Sequence, residues 1–394
     1  MLHPKLSRVL KVIYSHSVVF ALMGTTLKIR SYKKSIRLDK LSWTYITYSL
    51  FISTYMLSNS YFMVPQEFLD GYIKNNIILR CSFSLMVGLG FMEMASCYGT
   101  IWLKRQEIIQ FYKNSLNYWT RFKILMKTTV NKQELKDLQL SLASRMRREI
   151  MVLYGGFVFS TVVQYQLVSV LNNRTILAFG ARITHMLHFV AVKMGFYTIL
   201  ILLEHQFKVI HLALHFIEKE QNRKQWKILS SIASFHLETL QLARKIFRVY
   251  DISNATLFIN MFTSTINILY HAVQFGNESI QHDGWGALFG NGLIIFNIWG
   301  TLMLLNTLER AVSSCNYTGE QLKQFNDLPI TSKNFQRELD KFATHLRNNR
   351  LVYKIVGLVE LNKPAGLSYI ASIFTNLIIL MQFDLRLPQQ QNIH

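Results

Sequence analysis

Apolar residues gather into seven long runs, at 43–64, 76–103, 149–171, 179–203, 255–275, 287–308 and 365–383, with polar connections between them. Each run is close to the 20 or so residues that a helix needs to cross a hydrocarbon core of about 30 Å. A backbone inside lipid must satisfy its own hydrogen bonds, so each run predicts a helix. An eighth apolar stretch, 9–24, is shorter and is interrupted by Ser15, His16 and Ser17. Lys5, Arg8 and Lys11 precede it, and Lys28, Arg30, Lys33 and Lys34 follow. The basic residues on its far side predict a helix in the membrane interface in preference to a cleaved leader. The expected fold class is an all-α membrane protein with seven transmembrane helices.

Charge follows the connections. The stretch before the first run holds 9 Lys and Arg, and the connections 104–148, 204–254 and 309–363 hold 11, 8 and 9, together 37 of 43. The alternate connections and the tail carry Lys74, Arg80, Arg174, Arg182 and Arg386, while Lys193 lies inside a run. Basic loops stay cytoplasmic, which places the amino terminus inside and, after an odd number of crossings, the carboxyl terminus outside. The basic connections are also long. Apolar residues recur there at three- and four-residue spacing, as in 132–140 and 235–247, which predicts amphipathic helices continuing the membrane helices into the cytosol.

Composition narrows the class further. Only 16% of the 394 residues are charged, against roughly a quarter in soluble domains, and 50% are hydrophobic. The net charge of +21 raises nucleic-acid binding, but the basic residues alternate with membrane runs instead of lining one soluble face. Cys81, Cys97 and Cys315 are too few, and odd in number, for a disulfide framework.

No catalytic set emerges, so an enzyme is not expected. There is no Gly-rich phosphate loop. His185 and His188 have metal-like spacing but no third ligand in register, and read as polar groups bonded within a bundle; no metal or other cofactor is expected. Glu93 and Lys193 fall at similar depth in the second and fourth runs. They form a structural pair, serve gating or ion passage, or never meet; burial of charge makes the question worth asking. Of four glycosylation sequons, those at Asn254 and Asn316 fall inside on this topology and those at Asn173 and Asn277 outside. Gly286 and Gly290, four apart, suggest close helix packing.

The seventh run carries a pattern of its own. After Pro364, Ser368, Ser372 and Thr375 recur at helical spacing, and Ile379, Gln382 and Phe383 continue the face. Such a stripe either lines a water-filled path or packs small residues against neighbouring helices.

The segment Thr375-Asn-Leu-Ile-Ile-Leu-Met-Gln382-Phe383 resembles the carboxyl-terminal signature of insect gustatory receptors: Thr-Tyr, five apolar residues, then Gln-Phe. Asn376 stands where that family has Tyr. The length, the inside amino terminus and the long cytoplasmic loops are similar as well. The resemblance implies a ligand-gated, non-selective cation channel, a homo- or heterotetramer whose seventh helices line a central pore. Ser368, Ser372, Thr375 and Ile379 would face the pore, with Gln382 and Phe383 at its external gate. It implies a small-molecule tastant, of a bitter or aversive kind, bound among the first six helices, and a location in the plasma membrane of sensory dendrites. Depth and polarity single out Tyr165, His188, Tyr270, Gln274 and Trp285 as pocket residues, each also able to serve packing alone. The implied organisation is a cytoplasmic segment 1–42, a six-helix sensing bundle 43–308, a cytoplasmic anchor 309–363, and a pore helix with external tail 364–394. A G-protein-coupled receptor would need the opposite orientation, and its Asp-Arg-Tyr and Asn-Pro-x-x-Tyr signatures are missing. A transporter would more often show an internal repeat.

Overall fold

A computed structural model describes residues 3–30, 35–38, 43–60, 77–169, 176–219, 225–276, 284–327 and 332–386. In chain order the helices are α1 (Pro4–Val19), α2 (Trp43–Asn59), α3 (Ile77–Leu103), α4 (Arg105–Thr129), α5 (Lys132–Ser169) and α6 (Ile176–Lys219). They continue with α7 (Gln225–Val249), α8 (Asp251–Gly276), α9 (Gly284–Lys323), α10 (Lys333–Asn348) and α11 (Lys363–Arg386). The seven apolar runs fall on α2, α3, α5, α6, α8, α9 and α11. Among the described residues, four of these, α3, α6, α9 and α11, are by length and composition alone apolar enough to cross a membrane. Helix α3 shows how such a helix divides. Leu79, Phe83, Gly90, Met94, Cys97 and Ile101 pack inward at helical spacing, while Leu85, Phe91 and Met92 stay exposed on a face suited to lipid.

Helices α5, α6 and α9 run well past their apolar segments. Their 38, 44 and 40 residues correspond to lengths of about 57–66 Å. The surplus lies at the end carrying the Lys/Arg-rich connections, here termed the basic end, and the main core sits there. It joins Leu6 and Ile13 of α1, Tyr118 and Phe122 of α4, Phe207 of α6, Leu240 of α7, and Phe335, Leu339 and Phe342 of α10. Helix α10 is otherwise mostly polar, so those three residues at four- and three-residue spacing give it one face to bury, and it seats on α7. Ser332 caps it by accepting from the Phe335 N–H at 3.2 Å.

Three features depart from the sequence expectation. The stretch expected as an interfacial helix begins earlier, as α1, and its Leu6, Val9 and Ile13 form a buried stripe against α5 and α6. The chain then reverses at Ala21 (φ 53), and Tyr98 Oη donates to the Phe20 carbonyl at 3.0 Å. The segment 235–247 belongs to a separate helix, α7. Two antiparallel hairpins interrupt the all-α pattern, β1–β2 (Leu27–Arg30 with Ser35–Leu38) and β3–β4 (Lys354–Ile355 with Val359–Glu360). The second turns through Val356 and Gly357 at φ 49 and 70, a left-handed conformation that glycine adopts without strain.

An ion network ties the long helices where the apolar runs give way to the basic end. Glu204 of α6 accepts from Arg145 of α5, from Lys208 at 2.7 Å, and from Arg310 of α9 at 3.0 Å. Arg145 also reaches Glu149 at 3.2 Å and Thr307 at 2.9 Å, and Thr307 donates to Glu149 at 3.2 Å. The Glu204 side chain is 3% exposed, so the multiple donors are what make its burial tolerable.

Candidate pore helix and ligand-contact residues

Helix α11 starts where Asn362 Oδ1 accepts the Ala365 N–H at 2.9 Å, with Pro364 in the first turn. Three stripes then separate along its length. Gly366, Ile373 and Leu377 are buried, with Tyr369, Leu380, Met381 and Asp384 half-buried beside them, and they rest on α8, α9 and α3. Leu367, Ala371, Phe374, Ile378 and Leu385 form an exposed apolar stripe. Ser368, Ser372, Thr375, Ile379, Gln382 and Phe383 form the third, and all six are exposed. At about 100° per residue, this third stripe lies nearly opposite the packed one. Donors on and beside it bond along the helix, Thr375 Oγ1 to the Ala371 carbonyl at 3.0 Å and the neighbouring Asn376 Nδ2 to the Ser372 carbonyl at 2.8 Å.

The five pocket residues fall in different places. Tyr270 is fully buried in a cluster with Leu79, Phe83 and Leu377, between α3, α8 and α11. Gln274, one turn on, donates through Nε2 to Asp384 Oδ2 of α11 at 2.6 Å. His188 is also fully buried, with its ring 5.2 Å from that of Tyr98 and 6.1 Å from that of Phe20. Tyr165 is 61% exposed. Trp285 lies in the first turn of α9, and its side chain lies outside the described residues. Residues spaced by depth alone thus need not converge, because each helix's rotation decides where they point. A groove of about 500 Å³ lies elsewhere, at the basic end between α5 and α6, lined by residues such as Glu134, Asp137, Lys208 and His211.

Glu93 and Lys193 are both buried at the contact of α3 and α6, within electrostatic reach of one another. Neither Glu93 oxygen has a hydrogen-bond partner, and no ion pair joins the two side chains. The Lys193 ammonium instead sits 4.1 Å from the centre of the Phe189 ring, a cation–π contact. His185 Nε2 meets the Gly90 carbonyl at 3.4 Å, where α3 approaches closely. Among the described residues no group of three His, Cys, Asp or Glu side chains could hold a metal ion.

The sequons divide in an informative way. Asn254 is buried and donates to Tyr353 Oη at 2.9 Å, while Asn316 bonds the Leu351 backbone, so both amides are structural. Asn173 and Asn277 lie outside the described residues. The close-packed glycines are ones that spacing did not single out: a Cβ on Gly292 would clash with the Phe159 ring, and one on Gly155 would lie 2.7 Å from Phe296. Gly290 has nothing within 4 Å. The Gln274–Asp384 contact and the Glu204 network were likewise absent from the sequence reading, since neither leaves a local motif.

A family model described as 7tm Chemosensory receptor matches residues 10–387. The chain belongs to this family. Among its relatives in Drosophila melanogaster is the protein named "Putative gustatory receptor 58b", 58% identical over 99% of this chain and 96% of its own length. Receptor 58a of the same series is 25% identical, over 96% of this chain and 98% of its own. The solved insect olfactory receptor OR5 from Machilis hrabei, in complex with eugenol, has the same fold at a TM-score of 0.63 and 13% identity, over 96% of this chain and 99% of that one. The chain is therefore a chemosensory receptor of the seven-helix membrane class, and its family and fold are those of receptors, not of enzymes.

Proposed function

We propose that this receptor is a subunit of a ligand-gated, non-selective cation channel for contact chemicals, with α11 as its pore helix. The observation that carries the reading is the exposed stripe of Ser368, Ser372, Thr375, Ile379, Gln382 and Phe383, set nearly opposite the face that holds α11 to its own subunit. Polar groups on a membrane helix belong at water or at protein, and four copies around an axis give them both. Such a ring stacks hydroxyls below an apolar collar at Ile379 and a Gln382–Phe383 constriction. The assembly is a homotetramer or a heterotetramer with related receptors.

The 37 basic residues in the amino-terminal stretch and three alternate connections support an inside amino terminus and an outside carboxyl terminus, with Asn277 and Asn173 as external acceptors; the location proposed is the plasma membrane of sensory dendrites. The ligand is a small organic molecule, by analogy with the eugenol held by the Machilis receptor, and the family resemblance suggests a tastant of the bitter or aversive kind. It binds among the first six helices, where Tyr165, His188, Tyr270, Gln274 and Trp285 are the contacts to test. The segments 1–42, 43–308, 309–363 and 364–394 act as cytoplasmic lead, sensing bundle, anchor, and pore helix with tail.

Patch-clamp recording of the full chain, alone and with candidate co-subunits, against a panel of tastants tests this directly. Tastant-evoked current that does not discriminate Na⁺ from K⁺ is the expected result. A chain at the surface that conducts in no combination, or an amino-terminal tag accessible from outside, contradicts it.

A further inference from the structure

We propose that Gln274 and Asp384 form a latch that positions the gate end of α11, making Gln274 a positioning residue for gating; the inference rests on the channel reading above. Gln274 is 5% exposed in the last turn of α8, and its Nε2 donates to Asp384 Oδ2 at 2.6 Å. Asp384 directly follows Phe383. A helix turns about 100° per residue, so Asp384 falls on the packed face with Ile373 and Leu377 while Gln382 and Phe383 face away. A tether at Asp384 therefore sets both the rotation and the lateral position of the turn that carries the constriction.

The chemistry of the site is unusual for packing alone. Asp384 is the one carboxylate in α11, it is half-buried, and it sits in the last turn, where the helix dipole disfavours negative charge. Apolar residues fill the preceding positions of this face, Leu377, Leu380 and Met381, and would serve adhesion better here too. A charge-assisted bond from a buried amide gives this contact a defined geometry that apolar contact lacks.

Helix α8 also holds the chain on the other side of α11. Its Asp251 Oδ1 accepts from the Val356 N–H at 2.9 Å, and its Asn254 Nδ2 donates to Tyr353 Oη at 2.9 Å. Along its opposite flank α8 is bonded to α3, with Asn267 Nδ2 donating to Ser82 Oγ at 2.8 Å and Ser96 Oγ 2.6 Å from Thr256 Oγ1. Movement of α3 or α8 by a bound ligand thus reaches both flanks of the pore helix, and reaches Phe383 through the latch.

Whole-cell recording of the full chain tests the latch without a known ligand. Gln274→Leu and Asp384→Leu should each raise ligand-independent current several-fold per surface copy. The isosteric Asp384→Asn, which is less disruptive to folding, should raise it in the same direction. The exchanged pair Gln274→Asp with Asp384→Gln should return it toward wild type, which a purely space-filling role does not predict. Gln274→Cys with Asp384→Cys, oxidised with copper phenanthroline, should cross-link and suppress that current until dithiothreitol restores it. Variants with wild-type basal current, an exchanged pair no better than the singles, or a cross-linked channel that conducts unchanged would overturn the latch while wild-type currents leave the channel reading intact. A wild-type chain at the surface that never conducts fails the channel reading, and the latch with it.

Discussion

The Asn316 side chain holds the backbone of Leu351 by both of its polar groups. Asn316 Nδ2 donates to the carbonyl and Oδ1 accepts from the N–H, each at 2.9 Å, so an amide on α9 pairs with the linker that leads to α11 much as a strand would. Asn316→Ala leaves two backbone groups without partners and should lower stability by about 1–3 kcal/mol. Thermal unfolding of the detergent-solubilised chain would measure it. Peptide N-glycosidase should produce no mobility shift traceable to Asn316 or Asn254, because both amides are occupied.

The Glu204 network makes a larger prediction. Arg145→Met leaves a buried carboxylate short of a donor, and loss of one partner from such a pair costs about 3–5 kcal/mol. Surface expression should fall sharply. Joint replacement of Arg145 and Glu204 by Met and Leu should recover part of it, since an apolar pair of similar volume carries no orphaned charge.

Close approach of α5 and α9 can be tested by size alone. Gly292→Ala sets a methyl group against the Phe159 ring and should cost about 1–3 kcal/mol through displaced packing. Phe159→Leu in the same chain should relieve it, whereas Gly290→Ala, with open space around it, should be close to neutral.

Acid should loosen the basic end through His236. Burial against Phe207 and Phe342 holds its imidazole down at about 4, below the usual 6.5, helped by charge repulsion from His211 and His345 and opposed by its bond to the Cys315 carbonyl. Between those values the unfolded chain binds the extra proton, so this contribution to stability is complete above pH 6.5 and is lost as pH falls toward 4. The drop in unfolding temperature between pH 7.5 and pH 5 should therefore be smaller in His236→Gln than in wild type. Equal drops would show that His236 is not buried in its neutral form.

The helices were legible in the sequence because lipid leaves a backbone few options. A run such as 76–103 has to be a helix, and α3 occupies Ile77–Leu103. The division of α11 into faces was legible for a related reason, since helical spacing alone puts Ser368, Ser372 and Thr375 on one side. Pairings between helices were not. Gln274 was singled out for its depth, but only the rotation of α8 against α11 brings it to Asp384. Glu93 and Lys193 were matched in depth, and the rotations of α3 and α6 leave them near but unbonded. The stretch 9–24 carried too little apolar length to reveal that Leu6, before it, joins Val9 and Ile13 in a buried stripe.

The central claim is that the exposed stripe of α11 faces water in an assembled pore. Cysteines placed singly at Ser372, Gln382, Ile373 and Leu377, and probed with a charged methanethiosulfonate reagent during current recording, test it most directly. Block at Ser372 and Gln382 that deepens when the channel is open, with none at Ile373 or Leu377, is the result predicted. Equal reactivity at all four positions, or none at any, would remove α11 from the conduction path.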